Sequence, residues 1–301
     1  MASTRDTYDA IGIREDLSNI IYNISPEETP FMSGIGKSSC DNTLFEWQTD
    51  ALADADAGNA LVEGADADSM VQAETVRLTN YTQISGKTIQ TSGTADAVDF
   101  AGQKSSHAYQ MAKKAKELKL DMEKILLSTQ AGSDGVSATT ARTTKAVGAW
   151  IDTIKKDNAS SAGDIEGDIR VTMSNCYTAG AKPDTIMVDG ALKQAISLMA
   201  QTVSPLQTTA NATSAAHLVA AVDIYVSDFG NLKVVPNRLM PEKTGYFFDF
   251  EFWDIAYLRS FMTHDLARTG DSKTQQLLVE YGLRSKNENA NAKVTGWVAD
   301  A

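Results

Sequence analysis

The residues of this chain that could carry chemistry are few and far apart. Its three histidines are His107, His217 and His264, and its two cysteines are Cys40 and Cys176. A zinc site needs such ligands at short, fixed spacings, and no HExxH or CxxC run brings them together. Each histidine therefore reads as a surface or capping residue. Each cysteine reads as a free, buried or half-buried thiol in a reducing compartment. Gly34-Ile35-Gly36-Lys37-Ser38 ends like a phosphate loop, but Phe31 stands where the Walker pattern requires its first glycine. A dinucleotide fingerprint would need a glycine at Ser39, and it fails too. Asp54-x-Asp56-x-Gly58 opens like a calcium loop, but its glycine comes one position early and Ala65 replaces the closing glutamate. Carboxylates are abundant, and none is singled out as half of an acid–base pair. The expectation is a chain that is not an enzyme, with no catalytic residue, no metal and no cofactor.

The most unusual stretch lies between Lys37 and Arg77, which holds nine acidic residues and no Lys or Arg. Strand-like segments flank it at 43–47 and 71–82, and its middle, 51–60, has no core-forming pattern. It reads as a long acidic hairpin that leaves the body and reaches for a partner. The chain as a whole has a net charge of −12, which argues against gripping nucleic acid through its phosphates. Apolar residues make up 43%, enough for a sizeable core across 301 residues. The N-terminus lacks the apolar run of a signal peptide, and no window approaches the roughly 18 apolar residues of a membrane span.

Several elements would position that hairpin. Residues 1–42 mix apolar positions with breakers and read as an extended arm with one short helix. Thr43, Phe45 and Trp47 alternate with polar residues as a first strand, and 71–82 supplies the returning one. Over 103–129, Met111, Ala115, Leu118, Met122 and Ile125 repeat at helical spacing, so a long helix of about 40 Å is predicted. Its lysines read as a solvated face. Helices are predicted at 167–181 and 191–199, and short strands at 185–188, 222–227 and 232–235. Strands return at 245–252, 255–261, 275–285 and 293–298.

This order of elements resembles the major capsid proteins of tailed bacteriophages with the Hong Kong 97-type fold. Two runs carry the likeness locally. One is Arg14-Glu15-Asp16-Leu17-Ser18-Asn19-Ile20-Ile21-Tyr22-Asn23-Ile24-Ser25-Pro26-Glu27-Glu28-Thr29-Pro30-Phe31. The other is Phe45-Glu46-Trp47-Gln48-Thr49-Asp50-Ala51-Leu52-Ala53, with Glu63-Gly64 after it. The resemblance implies an α+β capsid fold in five parts. These are an N-terminal arm at 1–42, an extended loop formed by the acidic β-hairpin at 43–92, and a peripheral domain at 93–150 with the spine helix. An inserted axial α/β domain follows at 151–240, with peripheral return strands at 241–301.

The family likeness also implies a role. Hexamers and pentamers of such chains form an icosahedral shell around double-stranded DNA, in a virion made in the host bacterial cytoplasm. Inter-subunit contacts are expected from Ile20, Ile21, Ile24, Pro26 and Phe31 on the arm. On the loop they are expected from Phe45, Trp47, Asp54, Asp56, Glu63, Asp66 and Asp68. Further partners would be a portal protein, a scaffolding protein and a decoration protein. The chain opens directly at the arm, so the scaffold is expected to be a separate protein. DNA is enclosed without sequence-specific binding, and no membrane is involved. Some relatives cross-link a loop Lys to an Asn, for which Lys87 and Asn287, Asn289 or Asn291 are the formal candidates. Two other readings stay open at this point: an encapsulin-type shell around an enzyme cargo, and a soluble hydrolase with an acidic lid.

Overall fold

The computed structural model describes residues 28–60, 63–64, 66, 74–98, 106–135, 139–158, 164–203 and 223–297. A short helix α1 (Pro30–Gly34) comes first, with Pro at its start, where the missing N–H has no intrahelical partner to lose. It feeds β1 (Gly36–Ser39), which pairs in parallel with the first residues of β10 (Trp253–Asp265). β10 folds back antiparallel onto β11 (Ser272–Ser285), and β11 pairs with β4 (Gln83–Ser92), giving the order β1-β10-β11-β4. Two register shifts interrupt β10 near Arg259. Such bulges twist a long strand, which suits a sheet that must wrap a helix.

That helix is α3 (Ser106–Leu126), the predicted spine. Its 21 residues span about 31 Å at the helical rise. Leu118, Met122 and Leu126 are buried, with Met111 and Ala115 packed at the edge of the same core. The predicted start at 103 falls outside the described residues. The helix ends where the Ser128 hydroxyl turns back to the Ile125 carbonyl at 2.7 Å. Between β4 and α3 a small helix α2 (Gly93–Ala97) is capped by the Ser92 hydroxyl, which accepts from the Ala95 N–H.

The second sheet has six strands. These are β5 (Lys155–Asp157), β12 (Ala292–Thr295), β9 (Thr244–Phe248), β6 (Thr185–Val188), β8 (Gly230–Pro236) and β7 (Ile224–Ser227), in that order. Helices α5 (Ile165–Thr178) and α6 (Gly190–Val203) cover one face, and a short helix α4 (Val147–Trp150) precedes β5. All four residues of β6 are buried because the strand has a core on each side. Ile186 and Val188 join α5 and α6, while Met187 joins the core under the spine helix. An unbroken apolar run is what such a strand requires.

Two expected boundaries change. β9 and β12 lie beyond residue 240, yet they sit inside the six-stranded sheet, with β9 between β12 and β6. The α/β unit therefore draws on residues predicted to be return strands of the other domain. Within the stretch expected to be arm, Pro30–Gly34 and Gly36–Ser39 form α1 and β1, and β1 pairs with β10.

Candidate assembly surfaces

The acidic hairpin consists of β2 (Leu44–Thr49) and β3 (Val76–Tyr81), in register from Leu44 opposite Tyr81 to Thr49 opposite Val76. It is a two-stranded sheet of its own, and an isolated hairpin is at best marginally stable in water. Its foot is therefore pinned to the body. Phe45 is buried over Gly282, where a side chain's Cβ would come within 2.4 Å of the Phe45 ring. Trp47 stacks on Phe45 at 5.6 Å, meets Trp150 at 5.5 Å, and donates its indole N–H to the Ser285 carbonyl at 2.8 Å. Buried Asn80 donates to the Leu283 carbonyl at 2.6 Å and accepts the Lys145 N–H at 2.8 Å. Within the subunit, Phe45 is buried and Trp47 half-buried, and these contacts fix the direction in which the hairpin leaves.

A buried carboxylate completes the foot. Glu280 of β11 accepts from Arg142 at 2.6 Å, from Arg259 at 2.7 Å and from the Thr82 hydroxyl at 2.9 Å. Two guanidinium groups compensate for the dehydration of one carboxylate. The cluster ties the end of β3, the loop before α4 and both long strands into one unit.

Beyond Thr49 the character reverses. Every residue in 50–60 is exposed, including Asp54, Asp56 and a Leu52 that keeps 98% of its surface. The Asp56 carboxylate accepts the Gly58 N–H at 2.7 Å in a local turn. Glu63 and Asp66 are exposed as well, while Asp68 lies outside the described residues. Among the described residues no group of His, Cys, Asp and Glu converges as a metal site.

Of the predicted arm contacts, Ile20, Ile21, Ile24 and Pro26 lie outside the described residues. Phe31 is corrected. It is fully buried in its own subunit, packed against Phe248 at 5.1 Å, Trp253 at 6.2 Å and Phe250 at 6.3 Å. A residue missed by the sequence reading explains how it is held. Glu123 of the spine helix is fully buried and accepts the N–H groups of Phe31 and Met32 and the Asn237 amide, all at 2.8 Å. Burial raises its carboxyl above the ordinary value, against the opposing pull of those donors. Nothing in the helical pattern marks it, because α1 covers that side of the spine only after the chain has folded.

On the spine, Leu118 and Met122 are buried and Met111, Ala115 and Ile125 half-buried. His107 is neither a surface nor a capping residue. It is buried, with Nδ1 2.9 Å from the Thr91 hydroxyl and Nε2 2.6 Å from Gln275 Oε1, linking the helix to β4 and β11. His264 is exposed, and His217 lies outside the described residues. Cys40 is half-buried, and burial pushes the Cys176 thiol up to about 12. The formal cross-linking residues are engaged locally. Lys87 pairs with Asp121 at 2.5 Å, Asn287 accepts the Asn289 N–H, and buried Asn291 accepts the Trp253 indole N–H at 2.8 Å.

Comparison with known proteins places this geometry. The major capsid protein of Escherichia phage Phieco32 is 32% identical over 334 aligned residues, covering 95% of this chain and 94% of that protein. Among solved structures, a chain of Mycobacterium phage Adephagia superposes with a TM-score of 0.66 at 12% identity over the full length of both chains. A chain from the capsid of a native GTA particle gives 0.63 at 13% identity, covering 97% of this chain and 98% of that one. At such identities the likeness establishes the fold, which is the Hong Kong 97-type capsid fold. The description "SU10 major capsid protein" matches residues 2–297, so the chain belongs to the SU10 major capsid protein family.

Proposed function

We propose that hexamers and pentamers of this chain tile an icosahedral shell around double-stranded DNA, joined through the acidic hairpin. As a phage major capsid protein, the chain is a structural subunit of the virion shell and associates with itself. The observation that carries the finer reading is the contrast along the hairpin. Its foot is locked into its own subunit by Phe45, Trp47 and Asn80, while residues 50–60 are wholly exposed. A rigidly aimed segment that buries nothing at home is suited to burying surface on a neighbour. The arm residues Ile20, Ile21, Ile24 and Pro26 supply a second reach between subunits. The acidic balance keeps the enclosed DNA from being gripped. Assembly takes place in the host cytoplasm, with a portal protein at one vertex, a scaffolding protein during growth and room for a decoration protein outside.

Deleting residues 51–68 tests the role of the hairpin. The expected product is a soluble, folded chain that forms no shells under conditions where the unaltered chain does. Electron microscopy showing normal particles from the deletion would overturn the assignment.

A further inference from the structure

Glu123 stands where three parts of the fold meet. Its Oε1 accepts the Phe31 N–H of α1 and the Asn237 side-chain amide, and its Oε2 accepts the Met32 N–H, each at 2.8 Å. Asn237 follows β8. It donates its own N–H to the Val188 carbonyl of β6 at 2.8 Å and accepts the Leu239 N–H on its side-chain oxygen at 2.9 Å. One carboxyl group therefore ties α1 to the spine helix and to the six-stranded sheet. It is fully buried, and all three of its donors are neutral.

Charge around this junction is sparse. α1 itself carries no charged side chain. Glu28 and Arg238 line a small cavity of about 40 Å³ beside it, together with Pro30, Leu120 and Asn237. On the spine, Lys119 and Lys124 are exposed and Asp121 pairs with Lys87. Burial and the three donors, rather than these charges, set the balance at Glu123. Burial favours the acid and is the larger influence, while the donors favour the carboxylate. Protonated on Oε2, the group still accepts from Phe31 and Asn237 at Oε1 and gives up only the Met32 bond. We propose that Glu123 is a proton-operated latch: the acid form seats α1 on the spine helix, and loss of the proton loosens α1 and the Asn237 turn together. The cavity at Asn237 admits water to the junction, so the latch opens without unfolding the spine. The chain before residue 28 joins the body through α1, so the latch sets how firmly that segment is anchored. Its effect on assembly rests on the reading of that segment as a joining arm, and the latch itself does not.

Hydrogen exchange of the unassembled full chain, corrected for the intrinsic pH dependence of amide exchange, tests the latch directly, because the Phe31 and Met32 amides are themselves the donors. From pH 4.5 to neutrality their protection should fall by roughly three-fold or more, with a smaller change at the Leu118 and Met122 amides of the spine. Glu123→Gln has no proton to lose there, so its protection at Phe31 and Met32 stays level over the same range. Asn237→Ala removes one donor that supports the carboxylate and should steepen the fall. Level protection in the unaltered chain would overturn the latch. So would the same fall in Glu123→Gln, a shallower fall in Asn237→Ala, or an equal fall at the spine amides, which would report general loosening. If deletion of residues 1–27 leaves normal shells while the fall at Phe31 and Met32 persists in the full chain, the arm reading fails and the latch stands.

Discussion

At the foot of the β2–β3 hairpin, Phe45 is buried over Gly282 and the Trp47 indole is bonded to the Ser285 carbonyl. A few residues further on, from 50 to 60, no residue is buried at all. Both regions belong to one loop, but they meet different constraints. The foot must hold a direction against thermal motion, so it uses aromatic packing and a buried polar cluster, which are costly to disturb. The tip must stay available, so it uses charge and one exposed leucine. Substitutions in the two regions should therefore separate stability from assembly.

The largest effect on stability is expected at the foot. Phe45→Ala removes a ring packed against Trp47 and β11, and should destabilise the unassembled chain by about 3–5 kcal/mol, the usual range for a buried phenylalanine. Urea unfolding of the unassembled chain measures it. A loss under about 1 kcal/mol would mean that the hairpin foot floats on the body, and the contrast between the two regions would disappear.

Next comes the carboxylate beneath the foot. Glu280→Gln leaves Arg142 and Arg259 without their shared counter-charge. Both guanidinium groups are partly in water, at 30% and 42% exposure, which softens the penalty. A loss of about 2–3 kcal/mol is expected, at the low end for a broken buried pair. A double-mutant cycle with Phe45→Ala should show coupling, because both residues brace the same strands.

Glu123 offers a different kind of buried acid, held by neutral donors alone. Glu123→Gln turns an accepting oxygen into a donor facing one of the Phe31, Met32 or Asn237 N–H groups, and should cost about 1–2 kcal/mol. Its burial also carries a pH signature. Burial raises the folded carboxyl above 4.5, so the folded chain holds this proton where the unfolded chain has lost it. The stability tied to the neutral form is complete below 4.5 and is lost as the pH rises through the folded value. Unfolding free energy should thus fall with rising pH across that window, and Glu123→Gln should remove that fall. An identical pH dependence in the two proteins would refute the assignment.

The parts legible in the sequence were those whose signal is local. The spine helix followed from the spacing of Leu118, Met122 and Ile125, and β6 from the short apolar run at 185–188. The acidic tip stood out because charge needs no fold to be read. What escaped depends on contacts distant in sequence. β9 and β12 enter the six-stranded sheet by pairing with strands many residues away, and strand order leaves no mark on the pattern of either strand. Phe31 looked like a stranded arm residue because the cluster of Phe248, Phe250 and Trp253 that buries it lies more than two hundred residues further along. Glu123 lay on a polar stretch of the helix until α1 closed over it. The aromatic alternation of Phe45 and Trp47 marked a strand correctly, but alternation does not say whether the buried face meets the same chain or another.

The smallest stability effects belong to the tip, and they are the sharpest test of the comparison. Asp54→Ala and Leu52→Asp each change an exposed side chain. Both should leave the unfolding free energy within about 0.5 kcal/mol of the unaltered chain, as exposed sites generally do. Assembly should respond to the same two changes, with Leu52→Asp the more severe because it replaces the one apolar anchor with a charge. Urea unfolding of the unassembled variants reads the first property, and sedimentation beside the unaltered chain reads the second. A tip substitution that lowers monomer stability by more than about 1 kcal/mol would place the loop against its own body. In that case the exposed leucine would already have its partner, and the reach toward a neighbour would have to come from the arm instead.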